Sequence, residues 1–571
     1  MSDYVNFMIT VAVILSAVSI SMFGLYYMLA SRRNAISKTA HQNGYDDVKQ
    51  YRRDTASSRR SIISWDIFLD DDARSIGLRY LITSILFFFI AGTFGLTMRL
   101  SLTYSTPSLL TPDAYNVLLT QHATLMIYMW AVGSAIGLGY FLLPSHLKLW
   151  RDTRGTYAST AYWLWLFGAG LFLLSRASFR WYLYPPLSLQ LTPNGGGLYA
   201  WLGVLGMIFI FMGIMVASVN ILQIILFDRD KTMKMGEMSL FSWSIFFTVL
   251  MIIVSAPPVM VGLGMLFYDY FNPVFFTAAN GQVLLFAILF WWWGHPIVYI
   301  AVIPFFGLIY ELIAKFTDAK VFSYRSGVFG LGLLTALSMS VFGHHLLNSG
   351  LGYDWVLLFE TTSFAVVIPS AITVFNWIAT LWKANKIRMT TPMLFVINAI
   401  IDFIIGGITG VMQVNQGLNQ LVHGTYWVTG HFHFIFMGVT TGITFAAFYT
   451  IFPTISGGRT YNVILARAHF YLTAIGSLIM SFAWSVGGFI GMPRAVAGYF
   501  PWFQPYQDAS IIGGVIIGIG QLVFLYNMAV SWLRSPSTSE DNVLDIPANV
   551  GPSKPLPMDK STPDVPSESV T

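Results

Sequence analysis

The sequence predicts an all-α polytopic membrane protein of about thirteen transmembrane helices, twelve forming a core and one preceding it. Of its 571 residues, 55% are apolar and only 10% are charged, where a soluble chain carries about 25%. The mean hydropathy is +0.64. The apolar residues gather into runs of the roughly 20 residues needed to cross a bilayer, and the connections between them alternate between basic and nearly Lys-free. A water-soluble multidomain enzyme is excluded.

The runs fall near 5–30, 78–102, 116–143, 157–176, 198–227, 239–268, 281–313, 327–348, 357–382, 391–413, 425–453, 466–491 and 510–533. The first follows a leader carrying Asp3 rather than basic residues, and it exceeds the roughly 7–15-residue apolar stretch of a signal peptide, so residues 1–30 are expected to be a retained anchor. The loop 31–74 holds Arg32, Arg33, Lys38, Lys49, Arg52, Arg53, Arg59 and Arg60. By the positive-inside rule it lies in the cytoplasm, with the N-terminus outside. Basic residues then recur on every second connection: Lys148, Arg151 and Arg154; Arg229, Lys231 and Lys234; Lys315, Lys320 and Arg325; Lys383, Lys386 and Arg388; Arg459 and Arg467. The core occupies 75–535, and the Pro- and Ser-rich tail 536–571 is expected to be disordered in the cytoplasm. In such a chain the small excess of 31 basic over 26 acidic residues reports topology; the partner is the lipid bilayer and no nucleic acid is expected. With no cysteine there is no disulfide, iron–sulfur cluster or thiolate site. A metal must therefore rest on nitrogen or oxygen.

Seven of the ten histidines, His122, His295, His344, His345, His423, His431 and His433, fall within predicted spans or at their ends. Ionisable side chains in that setting mark function by default. A hydrogen bond to a neighbouring helix accounts for any one of them, but not for the arrangement of the set. His431 and His433 are two apart, about 200° around a helix, so they point to opposite sides. One helix then serves two metal centres, as two flat macrocycles flanking it would require. His122 is a candidate for the opposite axial ligand of one of them. His344 and His345, about 100° apart on a helix, converge on one ion only with a third ligand, and His295 is the candidate. Pro296 after it lacks an N–H and bends the helix there, while Gly294 permits a close approach. Three neutral imidazoles with an open position suit copper or zinc. The run Trp291 to Trp293 reads as packing or membrane-interface structure. Tyr299 lies four residues after His295, on the same helical face.

These residues together resemble the catalytic subunit I of the haem–copper terminal oxidases over roughly residues 75–535. The resemblance implies that His122 and His433 are the axial ligands of a low-spin haem, that His431 ligates a high-spin haem, and that His295, His344 and His345 hold the copper facing it. Tyr299 resembles the catalytic tyrosine linked to the first copper ligand, Arg99 the arginine beside the low-spin haem, and Arg494 one of a pair that binds haem propionates, with His423 nearby. It implies two haems, of the A type, and one copper. It also implies reduction of dioxygen to water coupled to proton translocation, other oxidase subunits including a subunit II, and quinol or a cytochrome or blue-copper protein as electron donor, in the cell membrane with the C-terminus cytoplasmic.

Departures refine it. Ile297 stands where the A type has Glu, the loop of the A type's second proton channel is missing from 144–153, and Thr373 stands at the channel lysine; all three resemble the B type. Ala495 replaces the second propionate arginine, and Asn419 replaces the acid four residues before His423. The extra first span, the lack of cysteine and the charge-poor outer loops resemble the quinol oxidases of thermoacidophilic archaea. Nitric oxide reductase shares the histidine framework but uses glutamates near its metals, where this chain has Ile297 and Tyr299. A secondary transporter leaves His431 and His433 unexplained. A single proton channel is expected through Tyr310, Ser370, Thr373 and Tyr299. Tyr299 and Tyr310 are eleven residues apart, roughly 20° beyond three helical turns, and the two hydroxyls of Ser370 and Thr373, three apart on one face, would fill the gap. Back-bonding of those hydroxyls to their own helix is the alternative.

Overall fold

The computed structural model describes residues 70–106, 109–149, 155–192, 195–276 and 281–533. The predicted anchor 1–30, most of the basic loop 31–74 and the tail 536–571 lie outside the described residues. Twelve helices among the described residues are long and apolar enough to cross a membrane: α1 Ala73–Ser101, α2 Pro112–His146, α3 Gly155–Ser175, α4 Ala200–Asp228, α5 Leu240–Asp269, α6 Val283–Thr317, α7 Tyr324–Leu346, α8 Tyr353–Trp382, α9 Thr391–Met412, α10 Tyr426–Ile455, α11 Val463–Phe489 and α12 Pro501–Trp532. They match the twelve core spans in number and order. No strand occurs among the described residues, only an isolated bridge between Thr425 and Pro493.

Helix ends follow local chemistry. Thr111 caps α2 by accepting from the Ala114 N–H, with Pro112 in the first turn, where its missing N–H costs nothing. α1 begins at Ala73, five residues before the apolar run, because the Asp72 carboxylate accepts from the N–H groups of Arg74 and Ser75. Asp318, in the left-handed region at φ 54°, ends α6. α12 begins well before its predicted start because polar Gln507 is buried and bonded rather than exposed.

Three helices form the interior. The most apolar windows of α2, α6 and α10 are 94, 89 and 89% buried, against 28–61% for the other nine, which leave a face for lipid. Those three carry His122, His295 with Tyr299, and His431 with His433. Small residues bring the outer helices into backbone contact: a Cβ on Gly206 of α4 would lie 2.7 Å from the Gly168 carbonyl of α3, and one on Gly476 of α11 the same distance from the Gly513 carbonyl of α12.

The three central helices are also irregular. α2 widens to a π-helix at Met126–Ala131, just after His122, and α10 at Phe434–Thr441, directly after His433. Such widenings recur at functional sites because they re-aim the residues that follow. α6 breaks twice, at His295, as Pro296 predicts, and again at Ala301–Val302 before it resumes at Ile303. The second break corrects the expectation for Tyr299 and Tyr310. The helix between them is discontinuous, so a constant 100° per residue cannot place them on one face. His344 and His345 lie on a short 3₁₀ segment, Phe342–Leu346, rather than on an α-helix.

Candidate metal and haem site

A cavity of about 1430 Å³ runs between the helices, and all seven of the singled-out histidines line it, as do Tyr299, Ser370, Arg99 and Arg494. Its wall is apolar, and among the described residues no Asp or Glu contributes to it. Thr373 and Tyr310 are not on its wall.

The structure brings His295, His344 and His345 together, with one ligand nitrogen of each within 4.8 Å of the others. His295 Nδ1 faces His345 Nε2 at 3.2 Å. His344 is held from behind by Ser363 of α8, 2.8 Å from its Nδ1. The Ser363 hydroxyl donates its own proton to the Phe359 carbonyl, so Nδ1 carries the proton donated to Ser363 and Nε2 is free for a metal. The Trp291 indole stacks on His345 at 3.8 Å and 10° and donates its N–H to the Tyr184 hydroxyl. Trp291 therefore packs, as its sequence context suggests, and the group it packs on is a candidate ligand. The close neighbour of Gly294 is that same indole, 2.5 Å from where a Cβ would stand. The Tyr299 ring lies 4.9 Å from that of His295, whose Nε2 is buried and has no hydrogen-bond partner among the described residues.

His431 and His433 turn to different neighbours, as a 200° separation requires. His431 faces α9, with Nδ1 2.8 Å from the Gly406 carbonyl and 3.3 Å from the Thr409 hydroxyl. Its ring fits over Gly410, where a Cβ would come within 2.7 Å of Cε1. His433 faces α11, 4.7 Å from the Trp484 ring, with Nδ1 2.8 Å from its own helix's Thr429 carbonyl. His122 places Nδ1 2.7 Å from the Ala91 carbonyl of α1 and lies over Gly95, 2.8 Å from a Cβ there. A carbonyl only accepts, so Nδ1 is the protonated nitrogen in all three rings, and each Nε2 is left as the ligand atom. The donor set, the clearance supplied by Gly95 and Gly410, and the size of the cavity fit two macrocycles and one further metal.

Arg99, at the end of α1, donates to the hydroxyls of Tyr115 (3.2 Å) and Tyr426 (2.7 Å) and to Gln507 Oε1 (3.2 Å), and lies over the Trp484 ring. His423 follows the short helix Gln416–Val422, its N–H bonded to the Asn419 carbonyl at 2.9 Å. Asn419 in turn accepts from the Asn348 amide at 3.0 Å. On α8, Ser370 reaches the cavity, whereas Thr373 is fully buried towards Gly330 of α7 and donates to the Pro369 carbonyl at 2.9 Å. Tyr310 packs on Trp377 at 5.6 Å between ring centroids. Ser363, Tyr115, Tyr426, Gln507 and the two glycines carry no signal in the sequence, because each matters only through a partner distant in the chain.

Residues 75–516 match the family described as cytochrome C and quinol oxidase polypeptide I. The cytochrome c oxidase polypeptide 1 of Halobacterium salinarum is 33% identical over 495 residues, covering 85% of this chain and 82% of that protein. The quinol oxidase subunit 1 of Bacillus subtilis is 32% identical over 475 residues, 81% of this chain and 72% of that one. A heme-copper oxidase subunit I+III of Aeropyrum pernix is 32% identical over 85% of this chain and 60% of its own length. Among solved structures, a heme-copper terminal oxidase dimer has the same fold, with a TM-score of 0.71 at 20% identity over 85% of this chain and 88% of that one.

Proposed function

We propose that this chain, which belongs to the cytochrome c and quinol oxidase polypeptide I family and is the catalytic subunit of a haem–copper terminal oxidase, divides its work between two sides of α10. The observation that carries the proposal is that His431 and His433, on the one helix and in the one cavity that also holds the three-histidine cluster, turn to different neighbours, His431 to α9 and His433 to Trp484 of α11. His122 and His433 would hold the low-spin haem, His431 the high-spin haem, and His295, His344 and His345 the copper. When bound, these groups supply the electron transfer and the oxygen chemistry.

The chain does the rest. Carbonyl acceptors on His122, His431 and His433, and Ser363 on His344, fix the tautomers so that every free nitrogen is an unprotonated ligand. The apolar wall excludes water, which strengthens every electrostatic interaction inside it. Arg99 holds positive charge beside the His122 and His433 side, kept in place by Tyr115, Tyr426 and Gln507. Tyr299 places a phenolic proton beside the copper ligand His295.

The B-type reading is supported by buried Ile297, by the absence of any acid on the cavity wall among the described residues, and by Thr373 at the lysine position. The first two of these also oppose the glutamate-dependent nitric oxide reductase chemistry. Protons would enter from the cytoplasmic side at Tyr310 and reach Tyr299 past Thr373 and Ser370. The donor is quinol or a cytochrome or blue-copper protein acting with a subunit II, the haems are of the A type, the N-terminus is outside and the C-terminus cytoplasmic, and residues 1–30, 31–74, 75–535 and 536–571 are anchor, loop, core and tail. A pyridine haemochrome spectrum with copper and iron analysis of the purified protein tests the site directly. Two haems and one copper per chain is the expected result, and iron in excess of haem would replace it with the reductase.

A further inference from the structure

Three arginines, Arg99, Arg180 and Arg494, line a cavity whose described wall has no carboxylate. Arg99 is surrounded by tyrosines and glutamine, as above, but Arg180 and Arg494 stand together elsewhere on the wall. The Arg180 guanidinium donates through Nη2 to the carbonyl of Ala495 at 3.3 Å and through Nη1 to the Tyr182 hydroxyl at 2.8 Å. Neither it nor Arg494 is in an ion pair among the described residues. Burial pulls the Arg494 guanidinium below its ordinary value, and the charge of Arg180 pulls the same way. Two like charges near one another on an apolar wall are costly, and an occupant of the cavity that brings the counter-charge offsets that cost.

The backbone is arranged to put Arg180 there. Arg180 has φ 62°, and Arg176 and Leu183 on the same connection between α3 and α4 have φ 48° and 52°, a region that side-chain-bearing residues avoid. The Arg180 N–H is tied to the hydroxyl of Thr120, at 2.9 Å, two residues before His122. Ala495, also at positive φ (59°), turns its carbonyl towards the guanidinium. Strain of this kind persists only where the surroundings enforce it, and it clusters where groups are positioned for ligands.

We propose that Arg180 is a cofactor-positioning residue that pairs with a haem carboxylate, supplying from the α3–α4 connection the second cation beside Arg494 that position 495, an alanine, does not provide. This rests on the haem reading above. Removing a positive charge beside a haem carboxylate stabilises the oxidised iron. In the purified holoenzyme, Arg180→Gln should therefore lower the midpoint potential of at least one haem in a spectroelectrochemical titration, by about tenfold in the reduction equilibrium, or ~59 mV for one electron. Arg180→Lys should keep most of the potential, and Ala495→Arg added to Arg180→Gln should restore it. Arg176→Gln, which removes an exposed charge from the same connection but away from the cavity, should leave it unchanged. Unaltered potentials in Arg180→Gln with haems bound, failure of Ala495→Arg to restore a lowered potential, or an equal shift in Arg176→Gln overturns the proposal. If Arg180→Gln loses haem, retention by Arg180→Lys supports the pairing and loss in both overturns it. Absence of haem from the unaltered protein would instead defeat the haem reading itself, so the two failures are distinguishable.

Discussion

Ser363 shows how a single residue behind a ligand can matter as much as the ligand. It accepts from His344 Nδ1 at 2.8 Å, and losing a partner of this kind typically costs about 10–100-fold in metal affinity. Ser363→Ala should bind copper correspondingly more weakly, seen as copper lost to a chelator under conditions the unaltered protein survives, with both haem spectra intact. His344→Ala should lose copper and oxygen reduction outright, since two imidazoles lack the third donor. Retention of stoichiometric copper in that protein would remove His344 from the site. The haem histidines separate in the same way. His433→Ala and His122→Ala should erase the low-spin spectrum, whereas His431→Ala should abolish carbon monoxide binding at the high-spin haem. If the His431 and His433 substitutions erased one common spectral component, the two-sided reading of α10 would fall.

At the scale of helices, the glycines facing the rings make a sharper prediction. Gly410 of α9 and Gly95 of α1 leave 2.7 and 2.8 Å between a would-be Cβ and the rings of His431 and His122, well inside van der Waals contact. Each ring must move if a methyl group is added, although both positions are ordinary helix where alanine is otherwise favoured over glycine. Gly410→Ala should therefore perturb or lose only the carbon monoxide-binding haem, and Gly95→Ala only the low-spin haem, judged by their separate absorption bands. The breaks in α6 bear on the proton route. Because the helix is interrupted at Ala301–Val302, Tyr299 and Tyr310 do not share one continuous face, and Tyr310 packs instead on Trp377 of α8. The Thr373 hydroxyl donates to the Pro369 carbonyl, which leaves its oxygen lone pairs as acceptors for water. Turnover and proton uptake should fall in the double variant Tyr310→Phe with Thr373→Val while haems and copper stay bound. Undiminished rates would mean that protons enter elsewhere.

For the whole molecule, the alternation of basic connections makes orientation testable. The chain has no cysteine, so a single introduced thiol is read against a silent background. Lys320, exposed on the α6–α7 connection, and Leu421, 71% exposed between α9 and α10, should lie on opposite sides. An impermeant thiol reagent should label Leu421→Cys in intact cells and Lys320→Cys only after the inner face is opened. The reverse pattern would invert the topology.

The twelve core helices, the break at His295 and the divergence of His431 from His433 were legible in the chain itself. Each follows from local rules: the length of apolar run a bilayer demands, the N–H that Pro296 lacks, and the 100° step of a helix. The histidines stood out because polar groups are costly inside a membrane. Tertiary structure decided what surrounds them. The contacts that hold Arg99 to Tyr426 and Gln507, and Arg180 to Ala495, join residues 327, 408 and 315 positions apart, and no local pattern encodes such pairings. The second break in α6 and the positive φ of Arg180 and Ala495 belong to the same class. Local preference disfavours these conformations, and only packing against distant elements holds the chain in them.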